Sequence, residues 1–243
     1  MNNLRTVSDT KRDFYNNHTR PINSIYRRVV EELMVEMHLL SVNVDFAYHP
    51  IYALGVVTSY EKFMQGYRPE RDRDSIFDAL VGAVGEDSQR YKQDAEQLKA
   101  LAGRLSGKEL IDWIVSPTAV DGAGSLPDQM RAIANNPQFK YSRLFAIGLY
   151  TLLEVSDPSL VKDEKERLDA LNQVGQSLHL PTEKLHKDLD LYRSNLEKMA
   201  QVQIAMKDAL EADRKKREKR DQEKSMAVAQ QTPDISKDEA KSS

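Results

Sequence analysis

A chain of 243 residues, 40% hydrophobic and 30% charged, with mean hydropathy −0.61 and no internal repeat, is sized for one globular domain of ordinary core, or one domain with an appendage. Its net charge of −3 selects no partner by bulk electrostatics, and the lack of cysteine excludes disulfides, thiolate metal sites and cysteine nucleophiles. The opening MNNLRTVSDTKRD has no apolar signal core and turns acidic too soon for a transit peptide, and the longest apolar run, 144–153, falls short of the roughly 20 residues that span a bilayer, so any membrane association is expected to be peripheral.

In chain order, Ser8 opens a short helix broken at Arg20-Pro21, and Pro21 suits the first turn of a second, whose apolar face is Ile22, Ile25, Tyr26, Val29, Leu33, Met37 and Leu40. On that helix Arg27 and Glu31, and Arg28 and Glu32, are spaced for i,i+4 pairs in the weaker orientation, as surface support or as contacts to another element. Val42, Val44, Phe46 and Tyr48 alternate like a strand, but no partner strand exists in the sequence, so an extended connector is expected. His49-Pro50 starts a helix stopped by Gly66 and Pro69, and Asp74 or Ser75 caps the next. A more polar helix occupies 86–103, and Ser106 with Glu109 forms a capping box for a short segment. Residues 115–127, VSPTAVDGAGSLP, read as the most flexible loop. Helices follow over 128–135 and 141–155, the latter apolar nearly all round and therefore central, and a penultimate helix begins at Asp157-Pro158 and carries Val161, Leu168, Leu171, Val174 and Leu178.

From Thr182, read as the N-cap, to Ala229 no Gly or Pro interrupts a sequence of good helix formers. Leu185, Leu189, Tyr192, Leu196, Met199, Gln203, Met206 and Leu210 alternate in steps of four and three, a coiled-coil seam with one polar member. The next seam positions are Asp213 and Arg217, so the helix outruns its own packing surface. To Lys224 it would reach roughly 65 Å, more than a domain of this size needs. The first half of the seam reads as the last helix of the bundle; the second half, Leu196, Met199, Gln203, Met206 and Leu210, is the candidate partner-binding surface. The expected architecture is all-α, a compact bundle of eight or nine helices with a long protruding C-terminal helix. Its divisions are a bundle at 1–180, the helix at 181–224 and a disordered tail at 225–243.

No catalytic constellation appears. Glu183-x-x-His186 is half of a di-iron pattern that needs a second copy the chain lacks, and there is no HExxH, GxGxxG, Walker loop or GxSxG, so no metal, cofactor or nucleotide site is expected. A helix-turn-helix reading of 170–191 would bring Glu183, Asp188 and Asp190 toward phosphates, and the absence of aromatics after Tyr192 removes base stacking, so nucleic acid is not an expected partner. RKKREKR, with Arg214, Lys215, Lys216, Arg217, Lys219 and Arg220 around one acid, suits an anionic membrane surface or an acidic protein, or is a solvated helix end diluted by Glu211, Asp213, Asp221 and Glu223.

The stretches TVSDTKRDFYNNHTRPINSIYRRVVEELMVEMHLLSVN, YALGVVTSYEKFMQGYRPE, DSIFDALVGAVG, FKYSRLFAIGLYTLLE and KDLDLYRSNLEKMAQ, in this order, resemble the thylakoid formation protein family, over about residues 6 to 220. The resemblance implies an all-helical, non-enzymatic factor of photosystem II biogenesis and repair. It further implies an association with the membrane-bound FtsH protease, possible photosystem II assembly intermediates as further partners, and a peripheral position on the cytoplasmic side of a cyanobacterial thylakoid membrane. The alternative implied role is a peripheral protein that organises the thylakoid lipid surface through its basic helix.

Overall fold

The computed structural model describes residues 5–120 and 123–229, with side chains through 223. Its elements are α1 (Val7–Asn17), α2 (Ser24–Ser41), α3 (Pro50–Phe63), α4 (Asp72–Gly82), α5 (Ser88–Ala102), α6 (Gly107–Val115), α7 (Leu126–Ala134), α8 (Arg143–Ser156), α9 (Pro158–Lys162), α10 (Glu164–Ser177) and α11 (Thr182–Ala229). Among the described residues there is no strand, and 42–48 form the irregular connector that an unpaired alternating segment must become. The chain divides into two compact units, Met1–Leu196 and Glu197–Ser243.

The first unit is organised around α3 and α8. Every residue from Ile51 to Tyr60 and from Leu144 to Leu153 is buried, as an all-round apolar helix requires. The two backbones touch: a β-carbon on Gly55 would lie 1.7 Å from the Leu144 carbonyl oxygen, and one on Gly148 1.9 Å from that of Ile51. Glycine is required at both positions by this approach rather than by backbone conformation. α5 packs on α3 and also touches α8, burying Tyr91, Ala95 and Leu98, and Tyr91 meets Tyr48 and Tyr52 at ring separations of 5.2 and 6.0 Å.

Where a side-chain cap forms it sets the helix start more closely than apolar patterning does, while α4 and α7 begin without one. The Ser106–Glu109 box forms as expected, with Glu109 N–H donating to Ser106 Oγ at 3.3 Å and Ser106 N–H to Glu109 Oε2 at 2.8 Å. At α1 an equivalent box lies two residues before Ser8, on Thr6 and Asp9. α2 begins at Ser24, not Pro21, because Asn23 Oδ1 accepts from the Ile25 amide at 3.1 Å. α4 begins at Asp72, ahead of Asp74 and Ser75. Thr182 is the first residue of α11 rather than its cap, since the Leu185 amide donates to the Pro181 carbonyl at 2.9 Å.

The described residues hold eleven helices where eight or nine were expected. One addition comes from the penultimate helix, which splits at Asp163: its extended backbone ends α9, while its side chain accepts the Glu166 amide at 2.9 Å and caps α10. Residues 116–120 and 123–125 are irregular, but Leu126, Pro127 and Met130 are buried and α7 starts inside the stretch assigned to the loop. α11 continues past Lys224 to Ala229, and the remainder of the expected tail, 230–243, lies outside the described residues.

Candidate interaction surfaces

Along α11 the seam declines in burial. Leu185 is 0% exposed, and Leu189 and Tyr192 are 2% exposed, with the Tyr192 ring against Phe63 and Tyr150 at 5.9 and 6.5 Å. Leu196 is half-buried at the end of the first unit. Among the described side chains of the second unit Met199 is the last that is buried, Gln203 and Met206 are half-buried, and Leu210 is 70% exposed. From Lys207 to Glu223 every side chain faces water.

Sequence reasoning missed Val202, exposed and outside the a/d register. It stands three residues after Met199 and four before Met206, so Met199, Val202, Met206 and Leu210 share one face and make a stripe about three turns long. The i+3 and i−4 spacing was the available signal. Ile204, 63% exposed, lies on the opposite side. Beyond the stripe, Arg217 pairs with Asp213 at 3.1 Å and Arg214 with Glu218 at 3.4 Å, all highly exposed i,i+4 pairs of small energetic weight. Lys215, Lys216, Lys219 and Arg220 are exposed on the same turns.

The first unit carries a second surface. The outward face of α2 forms one wall of a groove of about 1030 Å³, and the other side is built by Lys11 of α1, the 140–143 segment and the first turns of α11 at Lys184 and Asp188. The Arg28–Glu32 pair read from spacing forms, at 2.9 Å. Glu31 instead turns to α1, where Lys11 Nζ and Tyr15 Oη donate to it at 2.9 and 2.8 Å and hold its carboxyl below the usual range. Deeper in the groove Arg143 bonds Glu36. Burial nevertheless pushes the Glu36 carboxyl up, because the guanidinium only partly offsets desolvation and Asp188 adds a like charge. Tyr141 Oη donates to Asp188 at 2.8 Å, with Lys184 Nζ 5.2 Å from the Tyr141 ring centroid. Spacing on α2 revealed one wall of the groove; the opposite side comes from Lys11 on α1 and from residues around 140 and 184, about 100 or more positions away, and had no local signal.

A smaller pocket of about 400 Å³ lies between α3, α4 and α5. Its lysines are satisfied, Lys92 by Asp74 and Asp78 at 3.3 Å each and Lys99 by Glu61 at 3.0 Å.

Among the described residues no group of three His, Asp or Glu side chains is placed to hold a metal ion, and no helix is long and apolar enough to cross a membrane. His186, of the Glu-x-x-His pattern, makes a 2.8 Å contact to Asn172 Oδ1. Fold and surfaces together define an all-helical protein whose distinctive features are a charged groove and a long, partly unburied terminal helix. The chain belongs to the thylakoid formation protein family, whose description matches residues 6–221. It is 63% identical over 229 residues to Protein Thf1 of Nostoc punctiforme, covering 94% of this chain and 97% of the relative. Protein Thf1 of a Picosynechococcus strain is 59% identical over 217 residues, covering 89% and 85%. A solved structure of Psb29 superposes with a TM-score of 0.76 at 45% identity, covering 88% of this chain and 98% of that one.

Proposed function

We propose that this protein is a non-enzymatic auxiliary factor in thylakoid and photosystem II biogenesis and repair that binds and sustains the thylakoid FtsH protease. It would act from the cytoplasmic face of the membrane, where photosystem II assembly intermediates are within reach. The observation that carries the reading is the stripe of exposed Val202 and Leu210 with half-buried Met206 between them, on a helix that continues to Ala229 in a chain of this family. An apolar stripe at helical spacing, with flexible methionine in it, is suited to a groove or helix of a partner.

The test is capture of FtsH subunits from gently solubilised thylakoid membranes by tagged full-length chain and by Met206→Asp and Leu210→Asp variants, read by mass spectrometry. Loss of FtsH from both variants supports the docking role. Undiminished recovery with both removes the stripe from protease binding.

One observation favours a second reading. The stripe runs directly into six bases within seven residues, Arg214 to Arg220, an order suited to an apolar face in the lipid interface and cations among headgroups. On that reading the helix acts on thylakoid lipid organisation, and binding to anionic vesicles falls with salt and with replacement of the bases.

A further inference from the structure

The groove along α2 has an unusual charge distribution for a chain with a net charge of −3. Six basic and four acidic side chains line it, an excess of two positive charges. The four carboxylates are all engaged: Glu31 by Lys11 and Tyr15, Glu32 by Arg28, Glu36 by Arg143, and Asp188 by Tyr141. That leaves Arg27, Lys140 and Lys184 as groove cations that make no ion pair among the described residues. Arg27 feels the field of Glu31 without bonding it, and Lys184 rests over the Tyr141 ring. The three lie on three elements: α2, the segment before α8, and the first turn of α11.

The groove also has an apolar end. Leu39 lines it and is 57% exposed, and Val42 and Val44 beyond it are 37% and 96% exposed. α2 runs the length of this wall, about 27 Å, too long for a small anion and matched to several residues of polypeptide. Phosphate polymers meet the four interleaved carboxylates, whose repulsion cannot be avoided along a regular backbone, whereas a peptide can place its charges and an apolar residue at chosen positions.

We propose that this groove receives an acidic segment of a partner polypeptide, with carboxylates on Arg27, Lys140 and Lys184 and an apolar side chain on Leu39. The surface uses none of the α11 stripe residues and goes beyond the reading given above, so either can fail without the other.

The test uses the full chain and a fluorescein-labelled helical peptide built of Glu and Leu at three- and four-residue spacing, followed by fluorescence anisotropy at low and high salt. Arg27→Glu, Lys140→Glu and Lys184→Glu combined are expected to weaken binding at least tenfold, Arg27→Glu alone several-fold, and Leu39→Ser several-fold with the salt dependence retained. Reversal of Lys108, Lys162 and Lys165, exposed residues outside the groove, gives the same change of net charge and is expected to leave binding within twofold. Absence of binding by the unmodified chain, an equal loss in this control set, or selective binding of anionic vesicles or single-stranded DNA over the peptide would each overturn the assignment.

Discussion

A methyl group on Gly55 would lie 3.0 Å from the backbone nitrogen of Gly148, and closer still to the carbonyl of Leu144 one turn earlier. The central α3–α8 pair is therefore in backbone contact, and the nearest atoms at the crossing are backbone carbonyl oxygens that cannot swing aside. Gly55→Ala or Gly148→Ala must push apart two helices that are buried from Ile51 to Tyr60 and from Leu144 to Leu153, opening the layers that rest on both. Each is expected to destabilise by about 3 kcal/mol or more, at the upper end of overpacking effects. Gly82, exposed at the end of α4 with no atom within 4 Å of its would-be β-carbon, is the control. Gly82→Ala is expected to be neutral or stabilising by up to about 1 kcal/mol. Urea denaturation of the three variants checks the contrast, and a mild effect at Gly55 and Gly148 would mean that the helices do not approach this closely.

Stability is expected to fall as the solution becomes acidic, through buried histidine. His49 caps α3, accepting the Ile51 amide on Nδ1 at 3.1 Å; its proton is therefore on Nε2, which is buried beside Phe145 without a hydrogen-bond partner. Burial pushes the His49 pKa down to about 4 from 6.5. His18 shifts the same way, by burial, with Asp72 opposing. The unfolded chain takes up protons below pH 6.5 that folded His49 refuses until about pH 4, so stability is lost through that window, by about 3 kcal/mol at most. His49→Asn keeps an N-cap acceptor and should flatten the slope between these limits. Melting temperatures of both proteins across the window decide it, and parallel curves would remove His49 as the cause.

The connection before α2 is fastened to α4 by a buried charge. Asp72 is 2% exposed and its Oδ1 lies 2.9 Å from Arg20 Nη2. The geometry is that of an ion pair rather than a hydrogen bond, so the attraction is mainly Coulombic. Arg20→Ala leaves the carboxylate buried without its nearest cation, and the half-exposed guanidinium moderates the loss to about 1 to 2 kcal/mol. A double-mutant cycle with Asp72→Asn should show a favourable coupling. Independent, additive effects would mean that the pair contributes nothing.

The legibility of the sequence depended on how local each determinant was. The capping box at Ser106, the connector at 42–48 and the all-round burial of α8 are set within a few residues, and each could be read. The α3–α8 crossing could not, because a glycine in an apolar helix gives no sign of which backbone it meets; Gly55 and Gly148 are 93 positions apart. The start of α4 was misplaced for a related reason. Asp74 and Ser75 are ordinary capping residues, but the residue that begins the helix is Asp72, held by Arg20 from another connection. The surfaces divide the same way: the α11 seam follows from spacing alone, while Lys140, Arg143 and Lys184 join Arg27 and Glu36 only once the chain has folded.

Burial along α11 separates residues that spacing treats as equivalent. Met199 is 8% exposed, Met206 is half-buried and Leu210 is 70% exposed. An aspartate at 199 buries a charge without a partner and is expected to cost about 3 kcal/mol. At 210 it meets water, stays a fair helix residue, and should change stability by no more than about 0.5 kcal/mol. Met206→Asp belongs between them. If the stripe binds a partner, the order for association is different, because an exposed apolar residue has the most surface left to bury: Leu210→Asp should lose capture of FtsH while melting like the unmodified chain. Capture that declines only in step with stability, greatest for Met199→Asp and absent for Leu210→Asp, would show that the seam serves the fold alone.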